Sequence, residues 1–308
     1  MNLVKVQTKL MGNAFEFIAL SENERLGKDQ IACAIDEVKR IEKLFTTFSD
    51  DSVTNKVNEN AGKKPVEVPE EFFSLVYRAQ KISALTQGYF DLSYGSLDKD
   101  FWNFNQAMTS LPNPADAKKS VHLIDYRNII LNNEDRTIYL KNKGMRIGFG
   151  GIGKGYAADC AKRVMLGIGV SSGIVSASVD LNAWGYQEDG SPWTIGIANP
   201  NLKHSFFSTI NITNKSIATS GNYEKFVMID NQLYSHTINP KTGYPIKGIK
   251  SVTIITTNAE LADAMATPIN ILGVTEGLNL INQIKGIECI LIDDNNKLFV
   301  SNNIKLIK

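Results

Sequence analysis

Cysteine, histidine and tryptophan occur only three times each in the 308 residues, and proline nine times. The cysteines, Cys33, Cys160 and Cys289, lie far apart and form no CxxC pair. That excludes a disulfide framework and a cysteine zinc site, and leaves free, mostly buried thiols. Charge of one sign is also missing: 33 Lys and Arg face 32 Asp and Glu, for a net charge of +1. With no long Lys/Arg cluster, the electrostatic footprint of a nucleic-acid binder is absent. No apolar run reaches the length of a membrane span. The start, MNLVKVQTKLMGNAFEFIAL, alternates polar and apolar residues and lacks the apolar centre of a secretory signal. On this sequence the expected compartment is the cytoplasm; a removed leader would make it the periplasm or a membrane surface.

What is present is ordinary globular composition, 43% hydrophobic and 21% charged, long enough for one large or two smaller domains. KVQTKLMGNAFEFIALS predicts two strands around a tight point at Gly12. Gln30 to Leu44 repeats apolar residues at Ile31, Ala34, Ile35, Val38 and Ile41, followed by Phe45, which is helical spacing. Residues 46–65 are polar and turn-rich and predict a surface segment. EEFFSLVYRAQKISALTQG predicts a helix ended by Gly88. From Val121 short strands follow, with a hairpin tip at NNED, and then a helix over Lys154–Leu166. Residues 173–200 predict two strands around EDGS. Further strands lead to SVTIITTN, the helix AELADAMATPINILG, and a terminal helix–strand–turn–strand unit. There is no internal repeat and no regular β-α-β alternation. The expected fold class is α+β, with mixed, mostly antiparallel sheets and packed helices.

Four places can carry chemistry. GFGGIGKG places Gly148, Gly150, Gly151, Gly153 and Gly155 just ahead of or within the first turn of a helix. Missing Cβ atoms let backbone N–H groups approach an anion, and the helix adds its positive end. The same run reads equally as a tight strand-to-helix turn. It is not a P-loop, because Gly155 follows Lys154 where Ser or Thr belongs. In LADAMATPIN, Asp263 and Thr267 are four apart and share a helix face. A carboxylate and a hydroxyl there suit a hard cation such as Mg²⁺; an Asp that merely complements the helix dipole is the plainer reading. In YSHTINPKTGYP, His236 precedes a Pro–Gly turn, where a histidine either positions substrate and moves a proton or makes structural hydrogen bonds. In TQGYFDLSYGSL, Tyr89, Phe90 and Asp91 form either an aromatic sandwich or core packing. His122 and His204 have no supporting neighbours.

Taken in order, these stretches resemble the FAD:protein FMN transferase family, the ApbE-like flavin transferases. The resemblance runs through LMGNAFEF, IEKLFTTFSDDSVTNKVN, TQGYFDLSYGSLDKDFWNF, GGIGKGYAAD, SIATSGNYEKF, YSHTINPKTGYPI, SVTIITTNAELADAMAT and NILG, nearly the whole chain. It implies one ApbE-like domain over 1–308, either undivided or built of two intertwined subdomains. It implies an enzyme that cuts FAD at its pyrophosphate and passes FMN to a Ser or Thr hydroxyl of an acceptor flavoprotein, releasing AMP. Mg²⁺ would be the cofactor and FAD the substrate. The metal ligands implied are the Asp263 and Thr267 side chains and the Gly151 carbonyl. Lys154 would lie near the phosphates. Met11, Phe48, Tyr89, Phe90, Asp91 and Ile238 would line the FAD site, and His236 and Asp263 would be catalytic. Water as acceptor would make the same site an FAD pyrophosphatase, and loss of turnover would leave an FAD-binding protein.

The chain departs from the family pattern in several places. Gly148 stands where an Asp often precedes the loop, and Ser178–Val179 stand for a Gly–Gly pair whose space their side chains are expected to narrow. Asn239–Pro240 replaces Asp–Pro, and Phe48 replaces a tyrosine. Pro268 follows Thr267 and is expected to distort the helix there.

Overall fold

The computed structural model describes residues 1–98, 110–198, 206–222, 226–229 and 232–304. Trp102 and Phe104 of the aromatic motif, Tyr223–Lys225 of the SGNYEKF motif, and His204 lie outside the described residues. In chain order the elements are β1 (Asn2–Leu10), β2 (Asn13–Ser21), α1 (Glu24–Phe45), α2 (Val53–Glu59), β3 (Val66–Glu67), α3 (Glu70–Leu85), α4 (Pro114–Ser120), β4 (Ile129–Asn132) and β5 (Thr137–Leu140). There follow α5 (Gly153–Gly167), β6 (Gly173–Ala177), β7 (Asp180–Trp184), β8 (Trp193–Ala198), β9 (Phe206–Ile212), β10 (Lys215–Gly221), β11 (Phe226–Ile229) and β12 (Gln232–Ser235). The chain then forms β13 (Ile249–Thr256), α6 (Ala259–Asn282), β14 (Glu288–Asp293) and β15 (Leu298–Val300). This is the α+β class expected, with every pairing between named strands antiparallel.

The chain divides into two compact units, each assembled from separated stretches. The first takes residues 1–42, 152–221 and 249–308. Its eight-stranded sheet runs β1-β2-β6-β7-β10-β13-β14-β15. Met11 and Gly12 close the β1–β2 hairpin with φ of 50° and 73°, the left-handed pair that a two-residue turn requires. Helix α1 starts at Glu24, seven residues before its apolar repeat begins at Ile31. The repeat does its expected work, because Ile31, Ala34, Val38 and Ile41 have no exposed surface. Helices α5 and α6 pack on each other and on the same sheet.

Two expectations about this unit are corrected. Residues 173–198 form three strands, because Ser178 and Val179 make a two-residue hairpin turn between β6 and β7. Ser178 holds φ at 64°, where glycine is favoured, and its N–H donates to the Ala14 carbonyl at 2.9 Å. It is exposed, so its hydroxyl narrows no interior space. The break in α6 falls at Gly273 (φ 79°, ψ −173°), not at Pro268. Glycine adopts that conformation without penalty, whereas the helix dihedrals continue through the buried proline.

The second unit takes residues 43–151 and 222–248. It holds the three-stranded sheet β3-β5-β4, the hairpin β11–β12, and helices α2 to α4. Phe45, Phe72 and Phe149 form its aromatic centre, with Phe45 4.6 Å from Phe149 and 5.1 Å from Phe72 between ring centroids. The polar stretch 46–65 is not wholly surface, because it contains α2 with Thr54, Asn55, Val57 and Asn58 buried. Its asparagines replace solvent with backbone partners. Asn58 Nδ2 donates to the Ile147 carbonyl at 3.1 Å, and Ile147 N–H donates to Asn58 Oδ1 at 2.7 Å. That pair fixes the backbone just ahead of the glycine run.

Candidate active site

In the first unit the predicted residues Lys154 on α5 and Asp263 on α6 come together, with Thr267 one turn beyond Asp263 on the same helix. The reason is Gly155. A Cβ at this position would lie 2.1 Å from the Ala259 carbonyl oxygen and 2.9 Å from Asp263 Cβ, so only glycine permits this separation of the helices. Asp159, one turn further along α5, reinforces the contact. Its carboxylate accepts the N–H groups of Ala259 and Glu260 at 3.0 and 2.9 Å, capping α6, and accepts Asn182 Nδ2 at 2.5 Å. Burial outweighs these hydrogen bonds and raises its pKa above the usual carboxylate value.

Asp263 is 6% exposed. Its Oδ2 accepts the Gly155 N–H at 3.0 Å, and its Oδ1 lies 3.4 Å from Lys154 Nζ. The same ammonium lies closer, at 2.6 Å, to Oδ2 of Asp180. Asp180 opens β7 and is 2% exposed. Burial first, and then the neighbouring Asp263 charge, push its pKa up to about 7. Burial alone would lower the Lys154 pKa, but the two carboxylates outweigh it and hold the ammonium above its ordinary range. Asp180 is the residue that sequence reading missed. The available signal was an acid heading the otherwise buried strand DLNAW, where an unpaired carboxylate would be costly.

This donor set fits a hard divalent cation. Two buried carboxylates share one ammonium, and Thr267 adds a hydroxyl one turn beyond Asp263 on a half-buried position. All the donors are oxygen, which suits Mg²⁺ better than a thiol-preferring metal. Met11 belongs to this unit as well, at the β1–β2 turn, where its carbonyl accepts Asn13 Nδ2 at 2.8 Å.

The second unit carries the remaining predicted residues. Gly148 N–H donates to the Leu92 carbonyl at 2.9 Å, and Gly151 lies beside Phe90, whose Cε2 would be 3.7 Å from a Cβ there. Phe90 is buried, whereas Phe48 is 95% exposed. Tyr89 is half-buried with the Lys241 ammonium 4.0 Å above its ring. Asp91 is engaged within the fold. Its Oδ1 accepts both Ser93 N–H and Ser93 Oγ at 2.8 and 2.6 Å, and its Oδ2 accepts Tyr126 N–H at 2.7 Å. Burial dominates these bonds and raises its pKa to about 6. The turn it caps carries Tyr94, whose hydroxyl accepts the Ile238 N–H at 2.9 Å. Ile238 itself is fully buried against Ala117 and Val121.

His236 is exposed between two buried neighbours. Ser235 Oγ donates to Asn222 Oδ1 at 2.7 Å and accepts Thr237 N–H at 3.1 Å. Ile246 N–H returns to the Thr237 carbonyl at 3.0 Å. Beyond it, Gly243 sits at φ 78° so close to α4 that a Cβ would lie 1.8 Å from the Ala117 oxygen. The histidine is therefore presented to solvent from a backbone fixed on both sides.

The antiparallel α+β architecture is the fold of solved flavin-transferase structures. The ApbE protein of Thermotoga maritima superposes with a TM-score of 0.87 at 26% identity, covering 98% of this chain and 97% of that one. The flavinyl transferase ApbE of Pseudomonas stutzeri, at 23% identity and a TM-score of 0.85, shares the fold over 98% of this chain and 95% of its own. The chain belongs to the ApbE family, whose model matches residues 11–291. Among curated relatives, the FAD:protein FMN transferase of Klebsiella pneumoniae is 28% identical over 266 residues, 86% of this chain and 82% of the relative. That of Escherichia coli K12 is 29% identical over 238 residues, 75% of this chain and 68% of the relative.

Proposed function

We propose that this chain is a Mg²⁺-dependent FAD:protein FMN transferase that places FMN on a Ser or Thr hydroxyl of an acceptor flavoprotein. The observation that carries the reading is the Lys154–Asp180–Asp263 cluster on α5, β7 and α6 in a member of the ApbE family. The acceptor oxygen attacks the FMN-side phosphorus of FAD. A new P–O bond forms as the pyrophosphate P–O bond breaks, and AMP leaves with the electron pair. The hydroxyl proton passes to the His236 imidazole, which is exposed on its fixed turn. Asp263, Thr267 and the Gly151 carbonyl would hold Mg²⁺, which supplies charge neutralisation for a phosphoryl transfer. Lys154 adds a fixed positive charge for the phosphates, and the glycine run offers backbone N–H groups to them. Met11, Phe48, Tyr89 and Phe90 supply apolar surface for the FAD rings. Asp91 through Ser93 and Tyr126, and Ile238 through the Tyr94 hydroxyl, hold the turn that follows Tyr89 and Phe90.

The test incubates purified protein with FAD, with Mg²⁺ or EDTA, and with or without an acceptor protein, following AMP by chromatography and covalent flavin by gel fluorescence. AMP equal to incorporated flavin, only with metal and acceptor, supports the reading. AMP without acceptor identifies a pyrophosphatase instead. Intact FAD in every arm leaves a flavin-binding protein. Asp263→Ala should abolish flavin incorporation while lowering the melting temperature by only a few degrees, because about 1–3 kcal/mol is lost with one buried charge-assisted bond. Full activity in that variant refutes the metal assignment.

A further inference from the structure

The Lys154 ammonium is shared unequally, 2.6 Å from Asp180 and 3.4 Å from Asp263, with both carboxylates buried. Asp180 is additionally fixed by its position at the head of β7, where it is 2% exposed. Asp263 has its other oxygen on the Gly155 N–H, so its Oδ1 is held toward the lysine by a long contact alone. An ammonium shared between two buried carboxylates occupies part of the electrostatic role of a bound cation. We propose that Lys154 is a built-in counter-cation for the Asp180–Asp263 pair, and that Asp180 is the positioning residue that draws it aside so that Asp263 is open to a divalent cation. The inference rests on the metal reading above and concerns how this chain's own residues set its affinity.

The proposal makes the two neighbours of Asp263 act in opposite directions. Lys154→Met removes a competing positive charge, so a divalent cation binds more tightly. Asp180→Asn removes the charge that holds the lysine aside, so the ammonium pairs fully with Asp263 and the cation binds more weakly. Each change should be on the order of tenfold or more, the scale expected for unit charges a few ångströms apart at a partly buried site. A merely structural role for either residue would weaken binding in both variants.

The experiment titrates Mn²⁺ into the full chain without FAD, by isothermal titration calorimetry and by electron paramagnetic resonance of free Mn²⁺. Lys154→Arg, which keeps the charge, serves beside Lys154→Met. Tighter binding in Lys154→Met, weaker binding in Asp180→Asn and near-parental binding in Lys154→Arg support the proposal. Where Lys154→Met unfolds without metal, Mn²⁺-induced refolding by circular dichroism supplies the same comparison. Equal or same-direction changes in the two charge-removing variants overturn the proposal and leave the metal reading standing. Parental protein that takes up no Mn²⁺ overturns both.

Discussion

Replacing Gly155 by alanine tests the construction of the site from two opposing terms. Alanine is the better helix former by about 1 kcal/mol, and Gly155 has no positive φ to oppose it. Propensity alone therefore predicts a stabilised α5. The tertiary structure predicts the reverse, because the new Cβ would lie 2.1 Å from the Ala259 oxygen and 2.6 Å from its carbonyl carbon, both backbone atoms that cannot rotate away. Relief requires the helices to part by roughly 1 Å, since non-bonded carbon contacts are optimal at about 3.5–4.0 Å. Overpacking of this kind costs about 1–3 kcal/mol. The same movement stretches the 3.0 Å bond from Gly155 N–H to Asp263 Oδ2, and a charge-assisted bond is worth about 1.5–3 kcal/mol. The expected net loss is about 2–5 kcal/mol, together with weakened Mn²⁺ binding as Asp263 is displaced. Gly167→Ala is the control. It lies on the same helix, at its exposed end, with nothing within 4 Å of a Cβ, and should gain up to about 1 kcal/mol. Thermal and urea unfolding of both variants, with Mn²⁺ titration of each, measure the difference. A Gly155→Ala protein as stable as Gly167→Ala, with parental Mn²⁺ affinity, would refute the close-approach reasoning.

Three further predictions follow from particular contacts. Gly150→Ala meets nothing within 4 Å and has no positive φ, so its melting temperature should stay within a degree or two; if its backbone meets the pyrophosphate, FAD affinity falls on the order of tenfold, read by fluorescence titration. Gly243→Ala must relieve a 1.8 Å approach to the Ala117 oxygen and a φ of 78°, which displaces the turn after His236, so flavin incorporation should drop by on the order of 10²-fold in a folded protein. Asp91 carries a pKa raised to about 6 by burial, so its contribution to stability is fully present below pH ~4 and is lost as pH rises through about 6. That loss is about 3 kcal/mol at 1.36 kcal/mol per unit. Asp91→Asn abolishes the titration but leaves Tyr126 N–H without its acceptor, so the stability gap between parental and variant protein should narrow between pH 4.5 and 7; a gap independent of pH would contradict it.

Local pattern alone determined a good deal of this protein. The apolar repeat of α1 specifies which face is buried, because 3.6-residue periodicity leaves no other arrangement for Ile31, Ala34, Val38 and Ile41. Met11–Gly12 sets the first hairpin because two residues at positive φ close it. The order of the motifs placed the chain among the ApbE-like transferases, and Lys154, Asp263 and Thr267 were legible because they lie within short, recognisable stretches. Other features depend on contacts that no local pattern contains. Asn55 and Asn58 look like loop residues until their amides are seen to bond distant backbone, which hides α2 in a polar sequence. Pro268 suggested a break, but the chain breaks at Gly273, where the backbone adopts a conformation that only glycine takes freely. Asp180 is the clearest case. It opens a strand 26 residues beyond Lys154 and 83 before Asp263 in sequence, and its one local mark, an acid heading the strand DLNAW, does not say which charges it meets. Only the packing of α5 and α6 on the sheet brings the two buried carboxylates to one ammonium, because opposite charges removed from water must find each other wherever the fold has placed them.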